Sequence, residues 1–249
     1  MAAGSVEFYD TPLQHFEWRC GAARAVFTLR DGGVSEREYD SLNLGLHVAD
    51  DVDAVHENRL RVLSVAGIPE ARSAMQVHGT QVLVEPADGW THEFPDHDAD
   101  ALVTAVRERG LAIMVADCAP LVIATEARIA AVHVGWRGLL SGVVEAALDE
   151  LDVREGAPAH AVLGPCIGPC CFEVGDEVAT QFAPAHVSRI EGERAHVDLR
   201  SAIELRLAAR GIALEVIRVC TSCDRRCFSH RRDQGATGRQ GVLAWLAAD

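Results

Sequence analysis

The succession of elements predicts an α+β fold. Short apolar runs follow one another from about residue 73 to residue 134, with turns and one polar loop between them. The helical segments are set apart from that run instead of alternating with it, which argues against a doubly wound sheet. No Gly/Pro/Ser-rich linker and no internal repeat interrupts the 249 residues, so a single domain spanning 1–249 is expected, long enough to bury a sizeable core.

Taken in order, Ala22–Leu29 reads as a strand that ends at the turn Arg30-Asp31-Gly32-Gly33. Tyr39–His47 reads as a loop. Asp51 can cap a helix over Val52–Ala66, closed by Gly67 and Pro69. Strand signals follow at Ser73–Val77 and Gln81–Glu85, then a polar loop at Trp90–Asp98, then strands at Ala101–Val106, Leu111–Ala116, Leu121–Thr125 and Ile129–Val134. A helix over Leu139–Leu151 places Leu140, Val143, Val144, Ala147 and Leu148 on one side. Beyond it come a strand at Ala161–Leu163, a cysteine-rich loop over Gly164–Phe172, and helices over Asp176–Phe182 and Leu199–Ala209. A strand over Ile212–Val219, a loop over Cys220–Gln240 and a strand over Val242–Leu246 complete the reading.

Bulk properties exclude several classes of function. The net charge of −14 argues against nucleic acid, whose binding rests on cation–phosphate contacts. No run of about 18 apolar residues occurs, so no membrane span is expected. Met1–Phe16 lacks a charged segment followed by an apolar one, which predicts a cytoplasmic protein whose eight cysteines are thiols or ligands. The 23 basic residues are all arginine. A Walker-type phosphate loop, a pyridoxal Schiff base and a Schiff-base aldolase each need lysine and are excluded. An anionic substrate must then be held by arginine, helix N-termini or a metal.

Three islands carry the chemistry: Gln76-Val77-His78-Gly79, Ala116-Asp117-Cys118 and Val132-His133-Val134-Gly135-Trp136-Arg137-Gly138. Each sets a histidine or cysteine where an apolar run gives way to a turn. Two imidazoles and a thiolate can hold a transition metal and leave one position open, the mark of a catalytic site. Their separation allows no local spacing rule, so two satisfied histidines and a core thiol remain the alternative. Gly135–Gly138 opens a helix whose free N–H groups, with Arg137, can hold an anion; a glycine turn beside a solvated arginine is the alternative.

Six cysteines lie in two further segments, 164–173 and 220–227. Cys220 and Cys223 with Cys166 and Cys170 can close a four-thiolate zinc site. Against that, the second pair is spaced CxxxC and vicinal Cys170-Cys171 strain a shared ion, so reduced thiols packing a loop are the favoured reading. Ser229-His230-Arg231-Arg232-Asp233, with Gly235, Gly238 and Arg239, is the best local candidate for binding phosphate or a sugar acid.

In order along the chain, FTLRDGGVS, YDSLNLGLHVADD, ENR, QVHGTQV, DADALVT, VADCAPLVIA, AAVHVGWRGLLSGVVE, LGPCIGPCCFEVGDEV and CTSC followed by FSHRRDQGATGRQ give a combination that covers nearly the whole sequence. This combination resembles the family variously named multicopper polyphenol oxidase, laccase-domain or YfiH-type protein, later purine nucleoside phosphorylase or peptidoglycan editing factor. The resemblance implies a four-layer α/β/β/α sandwich of mixed sheets, similar also to the cytotoxic necrotizing factor deamidases. It implies His78, Cys118 and His133 as ligands of zinc, in older descriptions copper. It further implies phosphorolysis of adenosine, inosine, guanosine and methylthioadenosine, with adenosine deamination. His230 stands where the family more often has tyrosine, and Cys166 and Cys227 look like additions.

Deamination needs a carboxylate to shuttle a proton, for which Asp117 and Glu173 are candidates. Phosphorolysis needs arginines to orient phosphate, for which Arg59, Arg137 and Arg231 are candidates, and Asn43 is a candidate for a ribose hydroxyl. The expected partners are purine nucleosides and phosphate, with no nucleic acid and no membrane. Rival readings are a copper-dependent phenol oxidase, disfavoured because no HxH pair occurs; a peptidoglycan-editing hydrolase with Cys118 as nucleophile and His133 as base; and a non-enzymatic metal-binding protein.

Overall fold

The computed structural model describes residues 4–91, 94–153, 159–189 and 191–248. His92 and Glu93, within the loop expected over Trp90–Asp98, lie outside the described residues, as do Met1–Ala3.

The chain opens with β1 (Ser5–Tyr9), β2 (His15–Cys20) and β3 (Ala23–Thr28), followed by α1 (Val52–Ala66), β4 (Glu70–Arg72) and β5 (Val82–Val84). Next come β6 (Ala101–Thr104), β7 (Arg109–Val115), β8 (Ala119–Ala124), β9 (Ile129–Val134), α2 (Trp136–Ser141), α3 (Val143–Glu150) and β10 (His160–Leu163). The remainder is β11 (Glu173–Val174), α4 (Asp176–Ala179), β12 (Val187–Ser188), β13 (Ala195–Val197), α5 (Leu199–Ala208), β14 (Leu214–Val216) and β15 (Gln240–Leu246).

Two six-stranded sheets form, in the orders β1-β2-β3-β15-β7-β4 and β14-β10-β8-β9-β6-β5, beside a small β11-β13-β12 sheet. Most pairings are antiparallel; β4–β7, β5–β6 and β10–β14 are parallel, so both large sheets are mixed.

Side-chain alternation builds the layers. In β7, Leu111, Ile113 and Val115 join Trp18 and Phe27 in a core shared with Leu102, Val122, Ala131 and Val162 of the second sheet. Ala112 and Met114, on the other face of β7, pack with Val62 and Leu63 of α1. The far face of the second sheet, with Leu121, Ile123 and Val132, covers Val144 and Leu148 of α3 and Ile203 and Leu207 of α5. The result is helix, sheet, sheet, helix. The central strands are apolar on both faces because both faces are covered.

Local signals account for most elements. The Asp51 carboxylate accepts from the Asp53 and Ala54 amides, and Gly67, in the left-handed region at φ 70, closes α1 as predicted. Two expectations are corrected. The helix expected over Leu139–Leu151 is two, α2 and α3, divided at Gly142, whose φ of 99 no helix interior accommodates. No strand forms over Ser73–Val77. There the Gln76 carboxamide donates to the Met114 carbonyl (2.7 Å) and accepts from the Met114 amide (2.8 Å), so a side chain does the work of a strand backbone. The first residues, to which no element was assigned from sequence, form a strand pair, β1 on β2, registered from Ser5↔Arg19 to Tyr9↔His15. Among the described residues no helix is long and apolar enough to cross a membrane.

The connection between β3 and α1 is organised by one buried amide. Asn58, fully buried in α1, accepts from the Val34 amide and donates to the Ser35 hydroxyl and to the carbonyls of Ser41 and Asn43. Orphaning buried partners costs about 1–3 kcal/mol each. Asn58→Ala should therefore lower the unfolding free energy by about 2–3 kcal/mol. Urea denaturation measures this. Leu60→Ala on the exposed side of the same helix should stay within about 0.5 kcal/mol.

Candidate metal centre

The three islands meet at one end of the two packed sheets. The β8–β9 register pairs Ala119 with Val134 and Pro120 with His133, which sets Cys118 beside the end of β9. His78 enters from the turn before β5. Its Nε2 lies 3.8 Å from Cys118 Sγ, and its ring stands edge-on to His133 with centroids 4.7 Å apart. One donor atom from each of His78, Cys118 and His133 lies within 4.8 Å of the others. His133 is buried, Cys118 half-buried and His78 exposed.

Asp100, which the sequence reading passed over, holds this arrangement. It is fully buried at the start of β6. Its carboxylate accepts from the amides of Val77 (3.3 Å), His78 (2.9 Å) and Gly79 (2.6 Å), gripping the whole His78 turn. The same carboxylate lies 2.7 Å from His133 Nδ1, and the Asp100 carbonyl accepts the His133 amide. With Nδ1 committed to a carboxylate, Nε2 of His133 is the nitrogen left for a metal, the arrangement usual for a ligating histidine. Burial pushes the Asp100 carboxyl up, but His133 and the amides outweigh it and hold it below the ordinary carboxylate value.

Two glycines permit the approach. A Cβ at Gly135 would lie 2.7 Å from His78 Cδ2 and 3.4 Å from Cys118 Sγ, and one at Gly138 would lie 2.9 Å from the Gly79 carbonyl. His78 itself sits at φ 60 and Asp117 at φ 89, a conformation side chains rarely adopt outside sites that impose it.

Burial pushes the Cys118 thiol up, but His133 and His78 outweigh it and hold it well below the ordinary thiol range. Burial pushes His133 down, but Cys118 and Asp100 outweigh that and hold it above the ordinary imidazole range. Each group's shift favours its charged form beside the other, thiolate next to imidazolium. A metal held there by His78, Cys118 and His133 would take the place of a proton on His133. Two imidazoles and a thiolate form a borderline-soft set that suits a transition ion and leaves one position of a tetrahedral ion to a non-protein ligand.

These groups line a cavity of about 480 Å³, within the range of about 300–1,000 Å³ typical for small-molecule sites. Its walls also carry His47, Arg59, Phe172, His230, Arg231 and Arg239. Arg59 is 2% exposed; it donates to the Leu44 and Trp90 carbonyls, and burial pulls it down to about 9, still a cation at neutral pH. Among the described residues neither Arg59 nor Arg239 has a carboxylate partner. His47 is open to solvent on one side. Its partial enclosure, then Arg239 and Arg59, hold its imidazole below the ordinary value.

Other candidates fall elsewhere. Asn43 is fully buried, and its amide is spent on the Gly45 carbonyl, Asp50 and the Gly45 and Arg239 amides, so no ribose reaches it. Arg137 lies on the Trp136 ring, 4.3 Å from its centroid, outside the cavity walls. Glu173 is exposed in β11 and faces Arg194, also away from the cavity. Asp117 does border the cavity, but its carboxylate accepts from the Thr221 and Ser229 hydroxyls (2.5 and 3.1 Å) and the Arg231 amide (2.7 Å). It anchors the 221–231 loop, which leaves it poorly placed to shuttle a proton. His47 and Asp100 are site residues that lie within the stretches YDSLNLGLHVADD and DADALVT but were assigned no role from sequence.

A family profile described as "Multi-copper polyphenol oxidoreductase laccase" matches residues 24–247. The chain belongs to this laccase family. Despite the family's description, its curated relatives carry another activity in their names. A purine nucleoside phosphorylase of Pseudomonas aeruginosa is 39% identical over 243 residues, covering 92% of this chain and 96% of that protein. Purine nucleoside phosphorylase YfiH of Escherichia coli is 37% identical over 236 residues, covering 89% and 93%. Among solved structures, the hypothetical protein YfiH of Bacillus licheniformis superposes with a TM-score of 0.88 at 30% identity, covering 96% of this chain and 98% of that one. Protein NMB0706 of Neisseria meningitidis superposes with a TM-score of 0.84 at 34% identity, covering 98% and 99%. The family membership, the mixed α+β fold and the four layers agree with what the sequence predicted.

Asp100→Asn should weaken metal binding by about 10–100-fold, the usual cost of losing a carboxylate behind a ligating histidine; a competitive chelator titration reads it. The carboxyl also links stability to acid. Its folded-state pKa lies below the unfolded value, so its contribution is complete above about pH 4 and disappears as pH falls through the folded value. Acid unfolding of the wild type should therefore show a limb below about pH 4 that Asp100→Asn flattens.

Proposed function

We propose that the protein is a zinc-dependent purine nucleoside phosphorylase, active on adenosine, inosine, guanosine and methylthioadenosine, with an accompanying adenosine deaminase activity. The observation that carries this reading is the composition of one cavity. The three-donor cluster His78, Cys118 and His133 shares its walls with Arg59, Arg231 and Arg239 in a protein of net charge −14. Cations kept in a cavity without carboxylate partners suit an anionic ligand, and inorganic phosphate is the anion this reaction consumes. The names of the relatives agree with it.

In this reading His78, Cys118 and His133 hold the metal, which when bound supplies Lewis-acid stabilisation of developing negative charge. Arg239 and Arg231 orient phosphate, and Arg59, already spent on backbone carbonyls, contributes its field. His47, held below the ordinary imidazole value by its enclosure and then by Arg239 and Arg59, can accept a hydrogen bond from a protonated phosphate oxygen. Phe172 and Met114 offer apolar surface to a purine ring. In this reading the whole chain is one domain: Met114 and Val115 of β7 and His133 of β9 line the cavity, and Cys118 and Arg239 stand just before β8 and β15.

A second reading has its own support. Asp100, His133 and Cys118 also form a carboxylate–imidazole–thiolate series of the kind that activates a nucleophilic cysteine. In that reading the protein is an acyl-transferring editing hydrolase that needs no metal.

The two readings separate in one assay. Purified protein incubated with adenosine or inosine should release free base and ribose 1-phosphate only when phosphate is present, and both Cys118→Ala and metal removal should abolish release. Turnover that survives metal removal, or no product above the Cys118→Ala control, sinks the phosphorylase reading. Arg239→Gln should raise KM for phosphate about tenfold or more with a smaller change in KM for nucleoside, as expected for losing a hydrogen bond to a charged group.

A further inference from the structure

Outside the cavity, two cysteine-bearing loops are laced side by side. The Cys166 amide donates to the Val219 carbonyl (3.3 Å) and the Thr221 amide to the Cys166 carbonyl (3.2 Å), a parallel bridge of Cys166 with Cys220. Beyond this seam the sulfurs of Cys170, Cys171, Cys220 and Cys223 all lie within 4.8 Å of one another. Cys223 Sγ is 3.6 Å from Cys170 Sγ and 3.3 Å from Cys171 Sγ, and all four are free thiols. A zinc–sulfur distance of about 2.3 Å puts tetrahedral sulfurs about 3.8 Å apart, close to what the loops already provide.

The backbone removes the objection to vicinal cysteines. The amides of Cys171 and Phe172 both donate to the Gly168 carbonyl (3.0 Å each), so residues 168–172 make a tight turn that carries both sulfurs to Cys223. On the other loop, the Cys223 and Asp224 amides donate to the Cys220 carbonyl (3.1 and 2.9 Å), curling the CxxC segment around the same point. The Gly168 amide donates to Cys220 Sγ (3.2 Å), the kind of N–H···S contact that supports a thiolate.

Packing does not account for the cluster. Thiols that fill a core are buried, as Cys166 and Cys227 are in this chain. Cys170 and Cys223 are exposed and Cys171 and Cys220 only half-buried. Cys166, expected from spacing to be a ligand, instead accepts from the Arg200 guanidinium (3.3 Å), and Cys171 takes its place.

We propose that Cys170, Cys171, Cys220 and Cys223 form a second, structural zinc site closed by four thiolates. The ion clamps the 164–172 loop to the 220–227 loop. Both lead into the cavity wall: Phe172 follows one, and Arg231 follows the other and donates back to the Cys171 and Glu173 carbonyls (3.2 and 2.8 Å). Its role is to fix that wall. It stands whether or not the cavity performs phosphorolysis.

The test starts from a His78→Ala/Cys118→Ala protein, which lacks the first site and keeps all four cysteines. Purified under reducing conditions without added metal, it should carry about one zinc per chain by elemental mass spectrometry. Stepwise addition of a mercurial should release that zinc as the thiols react. Replacement with cobalt(II) should give the sulfur-to-metal charge-transfer bands of a tetrahedral thiolate site. Adding Cys220→Ser and Cys223→Ser should abolish both signals. No zinc together with no thiolate charge transfer on cobalt titration would overturn the proposal, and so would zinc retained undiminished in the protein lacking Cys220 and Cys223. The cobalt spectrum is taken on the four-cysteine protein, so the proposal remains decidable even where the serine variant fails to fold.

Discussion

Much of this molecule's functional geometry depends on one buried carboxylate. Asp100 sits at the start of β6 with no exposed surface, and an unpaired charge there would cost several kcal/mol. It is tolerated because three consecutive amides and the His133 imidazole all point at it. Satisfying that charge and assembling the donor cluster are therefore the same event. The amides force the His78 turn into its left-handed conformation, and the imidazole contact fixes which nitrogen of His133 is left over. The glycines at 135 and 138 then let α2 close over the turn.

Asp117 plays a matching part on the other side. It also lies at a strand end and in the left-handed region, between β7 of one sheet and β8 of the other. Its carboxylate binds the loop that carries His230 and Arg231, while its carbonyl accepts the Ile167 amide (2.9 Å) from the cysteine-rich loop. Cys118 is thus flanked by an acid that organises the second half of the chain, and His78 and His133 by an acid that organises the first. The cavity lies between the two, where the sheets part and loops from both halves can supply its walls.

What could be read in the sequence follows from the range of the interactions involved. Helix α1 is legible because its cap, Asp51, and its stop, Gly67, act within a turn or two. His78, Cys118 and His133 stand out because each ends an apolar run, and the family resemblance sets them together. Asp100 is not legible in that way. It looks like any acid before a strand, and its partners lie more than twenty residues away in either direction. Asn43 misleads for a related reason: a polar residue in a glycine-bearing loop suggests a ligand contact, whereas here its amide satisfies buried backbone. Gln76 shows the same physics in β-structure, completing a strand edge with its side chain. Arg59, chosen from its resemblance context, does reach the cavity, but as a cation already anchored to carbonyls.

The absence of lysine gives the arrangement its character. A lysine kept this far from carboxylates would tend to give up its proton under the same burial, whereas Arg59, even pulled down to about 9, keeps its charge at neutral pH. Arg239 is also lowered by burial, and His47 is depressed by its own enclosure and then by these two arginines. The cavity therefore keeps its arginine charges within an acidic protein, beside an imidazole, His47, held below its ordinary value. An anion entering the cavity offsets the desolvation that these arginines have already incurred. In the proposed reading, anion and metal binding would be coupled through charge: a cation held by His78, Cys118 and His133 would strengthen the pull on the anion, and the anion would ease the repulsion between that cation and the arginines.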